Sequence, residues 1–300
     1  MNINIINSMN GIFIVNQEIG HNAHKVERLT EEFEKIGVSI EVFVNNGTLA
    51  LIRENHIQIN LPKADFVVYM DKDIYLARLL ERAGYRLFNR PDFMKLCDDK
   101  MLTFIACANN GIIMPTTISG PLVYYGLKDT HLNFLESVEN ELGYPMVVKK
   151  VYGSLGEGVY LVKDHEELSK LYVEICRNPI VFQKYISSSA GKSIRVLIID
   201  GKVFGAFIRK NVYDFRSNYG EKASGENVED ISRYEEFAGR IIKLFDIEYA
   251  GIDLLDNEGQ LMLCEMNSNA FFEEFESITR LNAAKAVVDM IIKKVQLENE

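Results

Sequence analysis

The stretch YAGIDLLDNEGQLMLCEMNSNA, residues 249–270, constrains the fold of this chain more tightly than any other. Two apolar runs, 250–255 and 261–266, flank Asp256-Asn257-Glu258-Gly259, a pattern that predicts a β-hairpin. Asp253, Glu265 and Asn267 place oxygen-bearing side chains inside strands otherwise built for burial, and acids are seldom buried unless something pairs with them. Register decides whether the three meet. A three-residue loop over Asn257, Glu258 and Gly259 pairs Asp256 with Gln260, sets Asp253 opposite Leu263, and brings Glu265 and Asn267 to the same face. A two-residue turn puts Asp253 on the opposite face. Oxygen-only ligands of mixed charge suit a hard cation, Mg²⁺ or Mn²⁺, that keeps positions open for phosphate oxygens. The bland alternative is a local cap at Asp253 and a solvated edge-strand charge at Glu265.

At 300 residues the chain exceeds one ordinary core, which predicts two or three domains. With 47% apolar residues, 25% charged and six prolines, it reads as folded throughout. There is no run of about 18 apolar residues and no basic flank before the first apolar segment, so neither export nor membrane insertion is expected. Cys97, Cys107, Cys176 and Cys264 are spaced irregularly, which suits a reduced cytoplasmic setting rather than a disulfide framework or a zinc site. A net charge of −10 argues against a general nucleic-acid binder. Any polyanion must meet a local cluster of lysine and arginine.

Strands at 11–15, 38–44 and 66–70 alternate with helices at 22–36 and 73–83, predicting a small parallel sheet wrapped by helices. His21 and His24 have no clear third ligand and read as helix-start or surface residues. His56, His131 and His165 carry no assigned chemistry. The alternation pauses at Asn89-Arg90-Pro91, a candidate boundary; Asp99-Lys100 then opens a helix, and another spans 130–142.

The strand 145–151 sets Lys149 on the face of Val147 and Val151 and runs into Tyr152-Gly153-Ser154-Leu155-Gly156-Glu157-Gly158, after which 159–162 returns as a strand. A Rossmann or Walker motif would open a helix instead. Glycines let the backbone aim N–H groups at phosphate oxygens while a lysine neutralises charge from the preceding strand, although a plain hairpin loop has the same spacing. The buried strand 180–186 enters a flexible Ser187-Ser188-Ser189-Ala190-Gly191 connection. A second hairpin, 193–199 with 202–208, turns at Asp200-Gly201 and carries Arg195 and Arg209 in apolar surroundings. The polar stretch from Asp214 to Asp230 reads as a mobile loop.

Taken in order, VVKKVYGSLGEGV (147–159), FQKYI (182–186), SIRVLIIDGKVFGAFIRK (193–210), DFRSN (214–218) and AGIDLL with LCEMNSN (250–255, 263–269) resemble the RimK-like branch of the ATP-grasp ligases. The resemblance implies an α/β (α+β) ATP-grasp fold divided as a small N-terminal parallel α/β domain (1–88), a central subdomain (89–186) and a C-terminal subdomain (187–300). It gives Lys100 and Lys149 to the ATP phosphates and Gly153, Ser154, Gly156 and Gly158 to a cover over them. Gln183, Lys184, Tyr185 and Ile186 would flank adenine, Arg216 and Asn218 would lie close to the phosphates, and Ser193 stands at a further nucleotide contact. Arg209 would stabilise the transferring phosphoryl group, and Asp253, Glu265 and Asn267 would hold two Mg²⁺ or Mn²⁺ ions.

The implied reaction is amide formation through an acyl phosphate, adding glutamate or a similar amino acid to a carboxylate acceptor that is a small molecule, peptide or cofactor tail. The implied setting is cytoplasmic, without nucleic-acid or membrane partners, with homo-oligomerisation left open. Three features depart from the family pattern: Lys184 where glutamate is common, Ser193 where an aspartate is expected, and Ser268-Asn269-Ala270-Phe271-Phe272 in place of Ser-Pro-Gly after Asn267. The alternative function is a non-catalytic ATP-binding regulator or scaffold of the same fold.

Overall fold

A computed structural model describes residues 9–16, 20–124, 132–219 and 224–298. The N-terminal unit runs β1 (Asn10–Val15), α1 (Ala23–Glu34), β2 (Ser39–Val44), β3 (Ala50–Arg53), β4 (His56–Ile59), β5 (Phe66–Met70), α2 (Ile74–Arg82) and β6 (Leu87–Phe88). Its parallel sheet has the order β2-β1-β5-β6. The fully buried run FVVYM of β5 explains why periodicity reads it as a strand covered on both faces. Asp73 caps α2 through hydrogen bonds from the N–H groups of Tyr75 and Leu76, where the sequence expects that helix to begin. The β3–β4 hairpin lies outside the expected elements; ALIR and HIQI are only four residues each, too short for their apolar positions to announce a strand.

Two helices follow, α3 (Pro91–Asp98) and α4 (Lys100–Cys107). The middle unit comprises β7 (Thr117–Ser119), α5 (Phe134–Leu142), β8 (Met146–Lys150), β9 (Val159–Val162), α6 (His165–Ile175) and β10 (Ile180–Lys184), with antiparallel strands in the order β7-β10-β8-β9. The expected helix 130–142 begins at Phe134, and its first two residues lie outside the described ones. This unit has its own core around Tyr172 and Phe182.

The C-terminal unit contains β11 (Lys192–Ile199), β12 (Lys202–Lys210), β13 (Ser224–Asn227), α7 (Ser232–Leu244), β14 (Tyr249–Asn257), β15 (Gln260–Asn267), α8 (Glu273–Thr279) and α9 (Ala283–Glu298), with sheet order β13-β12-β11-β14-β15. Two expectations are corrected here. Within the polar stretch expected as a mobile loop, 224–227 form an edge strand paired with β12. The 187–191 connection is pinned rather than flexible: Ser188 and Ser189 hydroxyls donate to the Asp256 carbonyl, and the Asp256 N–H donates to Ser189.

Over its central strands one face of the five-stranded sheet is apolar, with Val196, Ile252, Leu254 and Leu263 packed under α7. The other face is divided. Leu197, Ile199, Phe207 and Tyr249 share a core with Phe13, Phe33 and Phe66 of the N-terminal unit and with α9, so these two units are joined by common packing rather than by a linker. Further along that face the row of cross-strand neighbours turns polar: Arg195 pairs with Asp253, and Asp253 with Glu265.

Candidate active site

Side chains from the middle and C-terminal sheets line one cleft. Lys100, Lys149, Gly153, Ser154, Gly156, Gln183, Lys184, Tyr185, Ile186, Ser193, Arg216 and Asn218 all stand on its wall, together with Asp253 and Glu265. Gly158 does not. It closes the turn instead: its carbonyl accepts the Lys150 N–H at 2.8 Å, and a Cβ there would press on the Lys150 stem at 3.0 Å.

Positive φ angles at Gly153, Gly156 and Gly158 let the chain double back between β8 and β9. Arg216 fastens this turn to the 214–219 loop. Its guanidinium donates to the Gly156 carbonyl at 2.9 Å, is gripped by Asp214, and lies 3.4 Å from the centre of the Tyr219 ring. Beneath the turn, Lys100 Nζ donates to the Gly153 carbonyl at 2.9 Å and stands 3.8 Å from Glu265. Burial pulls its pKa down, with nearby Lys149 acting the same way and Glu265 opposing. Lys149 Nζ reaches Cys264 Sγ at 3.7 Å.

The β14–β15 turn differs from the expected three-residue loop. Asn257 pairs with Gln260 across a two-residue turn, with φ of 50° at Glu258 and 98° at Gly259, and the Gly259 N–H donates to Asp256 at 2.7 Å. On that register alone Asp253 and Glu265 would lie on opposite faces. A bulge at Cys264 adds one residue to β15, so Leu254 pairs with Leu263 while Asp253 pairs with Glu265. Two departures from the expected register therefore cancel, and the carboxylates share a face.

Asp253 is 4% exposed and its oxygens are occupied. Arg195 grips it bidentately, Nε to Oδ1 at 2.7 Å and Nη2 to Oδ2 at 2.8 Å, and Arg209 Nη1 adds a contact to Oδ1 at 3.2 Å. Burial by itself would raise the Asp253 carboxyl; the two guanidinia outweigh it and hold the group below the ordinary carboxylate range. Gly251 makes room for this pair, because a Cβ there would lie 2.5 Å from Arg195 Nη1 and 2.8 Å from Ala270 Cβ. Gly251→Ala is therefore expected to lower stability by about 1–3 kcal/mol through overpacking. A urea midpoint equal to that of the parent would show that the guanidinium moves aside freely.

Arg209 faces a second cleft, shared with Arg195, Asn267 and Asn269, and Ser154, Asn218 and Glu265 line both clefts. Arg209 also binds Glu274 of α8 at 2.7 Å through Nε. Among the described residues no three His, Cys, Asp or Glu side chains cluster as a metal site. Two carboxylates and an amide oxygen nevertheless make a donor set whose chemistry fits a hard divalent cation, with Glu265 and Asn267 less committed than Asp253. His24, expected to be ordinary, stands 4.0 Å from Glu276 with no further metal-like partner among the described residues.

A model of the RimK-like ATP-grasp domain matches residues 97–291. The chain belongs to that family. It is 31% identical over 262 residues to beta-citrylglutamate synthase B of Danio rerio, covering 84% of this chain and 63% of that one. It is 33% identical over 225 residues to N-acetylaspartylglutamate synthase A of Homo sapiens, covering 74% and 56% respectively, so the matched part is less than two-thirds of either relative. In fold it is similar to a RimK domain ATP-grasp protein from Sphaerobacter thermophilus, with a TM-score of 0.72 at 17% identity over 94% of this chain and 99% of that one. The expected class, an ATP-dependent carbon–nitrogen ligase, agrees with a family whose members here are named synthases.

Membership does not single out two residues that the geometry makes prominent. In the sequence Arg195 is only a charge in an apolar strand; its pairing with Asp253 depends on a cross-strand register. Lys25 fell within the predicted first helix and left no signal, since a lysine beside an apolar stripe ordinarily faces water.

Proposed function

We propose that this RimK-like ATP-grasp protein joins an amine to a carboxylate at the expense of ATP. One observation carries the reading above the others: Glu265, Ser154 and Asn218 border both the lysine-walled cleft under the glycine turn and the cleft that holds Arg209. A triphosphate lying along Lys100 and Lys149 would present its terminal phosphorus at that junction. A carboxylate in the second cleft attacks it, the bond to ADP breaks, and an acyl phosphate forms. An amine then displaces inorganic phosphate to give the amide.

In this reading the chain supplies position and charge rather than covalent chemistry. Arg209 offers a fixed fork to the anionic oxygens, and the backbone around Gly153 and Gly156 covers the phosphates. Glu265, Asn267 and Asp253 would hold divalent ions, which supply charge neutralisation for the phosphates when bound. The names of the two relatives, a citrylglutamate and an N-acetylaspartylglutamate synthase, make glutamate the first amine to test and citrate and N-acetylaspartate the first acids.

ADP release with Mg²⁺ or Mn²⁺ tests the reading. The expected result is ADP formed only when acid and amine are both present, in step with amide. Tight ATP binding without acid- and amine-dependent ADP, across the twenty amino acids and a panel of acids, would leave the non-catalytic alternative standing.

A further inference from the structure

The second cleft borders a buried charge that has no counter-ion among the described residues. Lys25 of α1 is 4% exposed and lines this cleft beside Asn269 and Ala270. Its ammonium donates to Asn269 Oδ1 at 2.7 Å and to the Ala270 carbonyl at 3.3 Å, both neutral oxygens. It also lies 4.4 Å from the centre of the Tyr249 ring and 5.0 Å from that of Phe272. Of the acids on the cleft wall, Glu274 is held by Arg209, Glu265 stands by Lys100 and Glu273 is exposed to solvent; Glu276 beyond them is held by Arg28. Among the described residues no carboxylate pairs with it.

Two other buried lysines stand by the reaction site: Lys100 has Glu265 at 3.8 Å, and Lys149 reaches the Cys264 thiol at 3.7 Å in the cleft that also holds Asp253. Among the described residues Lys25 meets only neutral oxygens and ring faces. Burial pushes its pKa down to about 7, so the fold holds the ammonium at a disadvantage that an arriving anion would remove. A methionine of similar length would fill the space without that penalty. A charge kept where packing does not require it points to a ligand.

We propose that Lys25 anchors a second, non-reacting carboxylate of a substrate in this cleft, so that the protein selects substrates with more than one carboxylate. The inference rests on the ligase reading. The anion is a carboxylate in either case, and its source is the acid being activated or the amino acid being added.

The test compares the parent with Lys25→Met and with Lys25→Gln, which keeps a donor for Asn269 without the charge. One arm varies the acid, citrate and N-acetylaspartate against butyrate and N-acetylalanine; the other varies the amine, glutamate against glutamine. Loss of a charged hydrogen bond is expected to raise KM about 10–100-fold for the polycarboxylate in one arm, with kcat and the KM for ATP little changed. The arm that moves identifies the source. Equal losses in kcat and in every KM would make Lys25 a structural tether between α1 and the 269–270 segment and overturn the proposal. So would a parent that uses mono- and polycarboxylates alike. If no pair of substrates is turned over, the ligase reading fails separately and calorimetry decides the anchor: citrate or glutamate binding weakened at least about tenfold by both variants upholds it, and unchanged binding overturns it.

Discussion

Arg209→Ala is expected to lower the ligation rate about 10²–10³-fold while the protein stays folded. The magnitude is that of removing one preorganised donor from a site where negative charge develops. The fold survives because nothing is orphaned. Asp253 keeps both hydrogen bonds from Arg195, and Glu274, about a third exposed, turns to water. The measurement is single-turnover ADP formation beside a urea titration. Normal turnover would remove Arg209 from the chemistry, and a fall in rate matched by loss of the folded baseline would reassign it to structure.

Asp253→Ala reverses that balance. It is expected to destabilise the protein by about 3–5 kcal/mol, because removing one partner of a buried ion pair strands the other. Here Arg195 loses its hydrogen-bonded carboxylate and Arg209 one of its two. Urea unfolding without nucleotide reads the effect directly; a midpoint shift worth under about 1 kcal/mol would mean that water or Glu265 replaces the carboxylate at no loss. Arg195→Met with Asp253→Leu should recover much of the stability and none of the activity, since matched apolar replacements of buried pairs are often neutral. Together the two single variants separate a residue that serves the reaction from one that also holds up the sheet.

Local signals carried most of the fold. The turn residues Asp200-Gly201, the Asp73 cap, the Gly143 stop and the buried run at 66–70 each act within a few residues, and each element forms where its local chemistry directs. The cleft-lining residues were legible through the family resemblance, and all but Gly158 of the expected nucleotide contacts line the cleft. What escaped depends on distant partners. The strand at 224–227 exists because β12 offers it an edge, and no apolar alternation announces SGEN. The core shared through α9 draws on residues some 280 positions apart, from Phe13 to Val295. Lys25 is distinguished only by its hydrogen bonds to Asn269 and Ala270, some 245 positions away.

The extra residue at Cys264 leaves the ribbon tolerant in one respect and brittle in another. Its side chain makes one long contact, to Lys149, so serine or alanine could stand there with little disturbance. The position itself cannot be lost. Shortening β15 by that single link would rotate Glu265 and Asn267 into the oily layer beneath α7 and lift their apolar neighbours toward solvent. Drift at this point can therefore change letters but not spacing, and the chemistry of the ribbon is guarded by a count rather than by an identity.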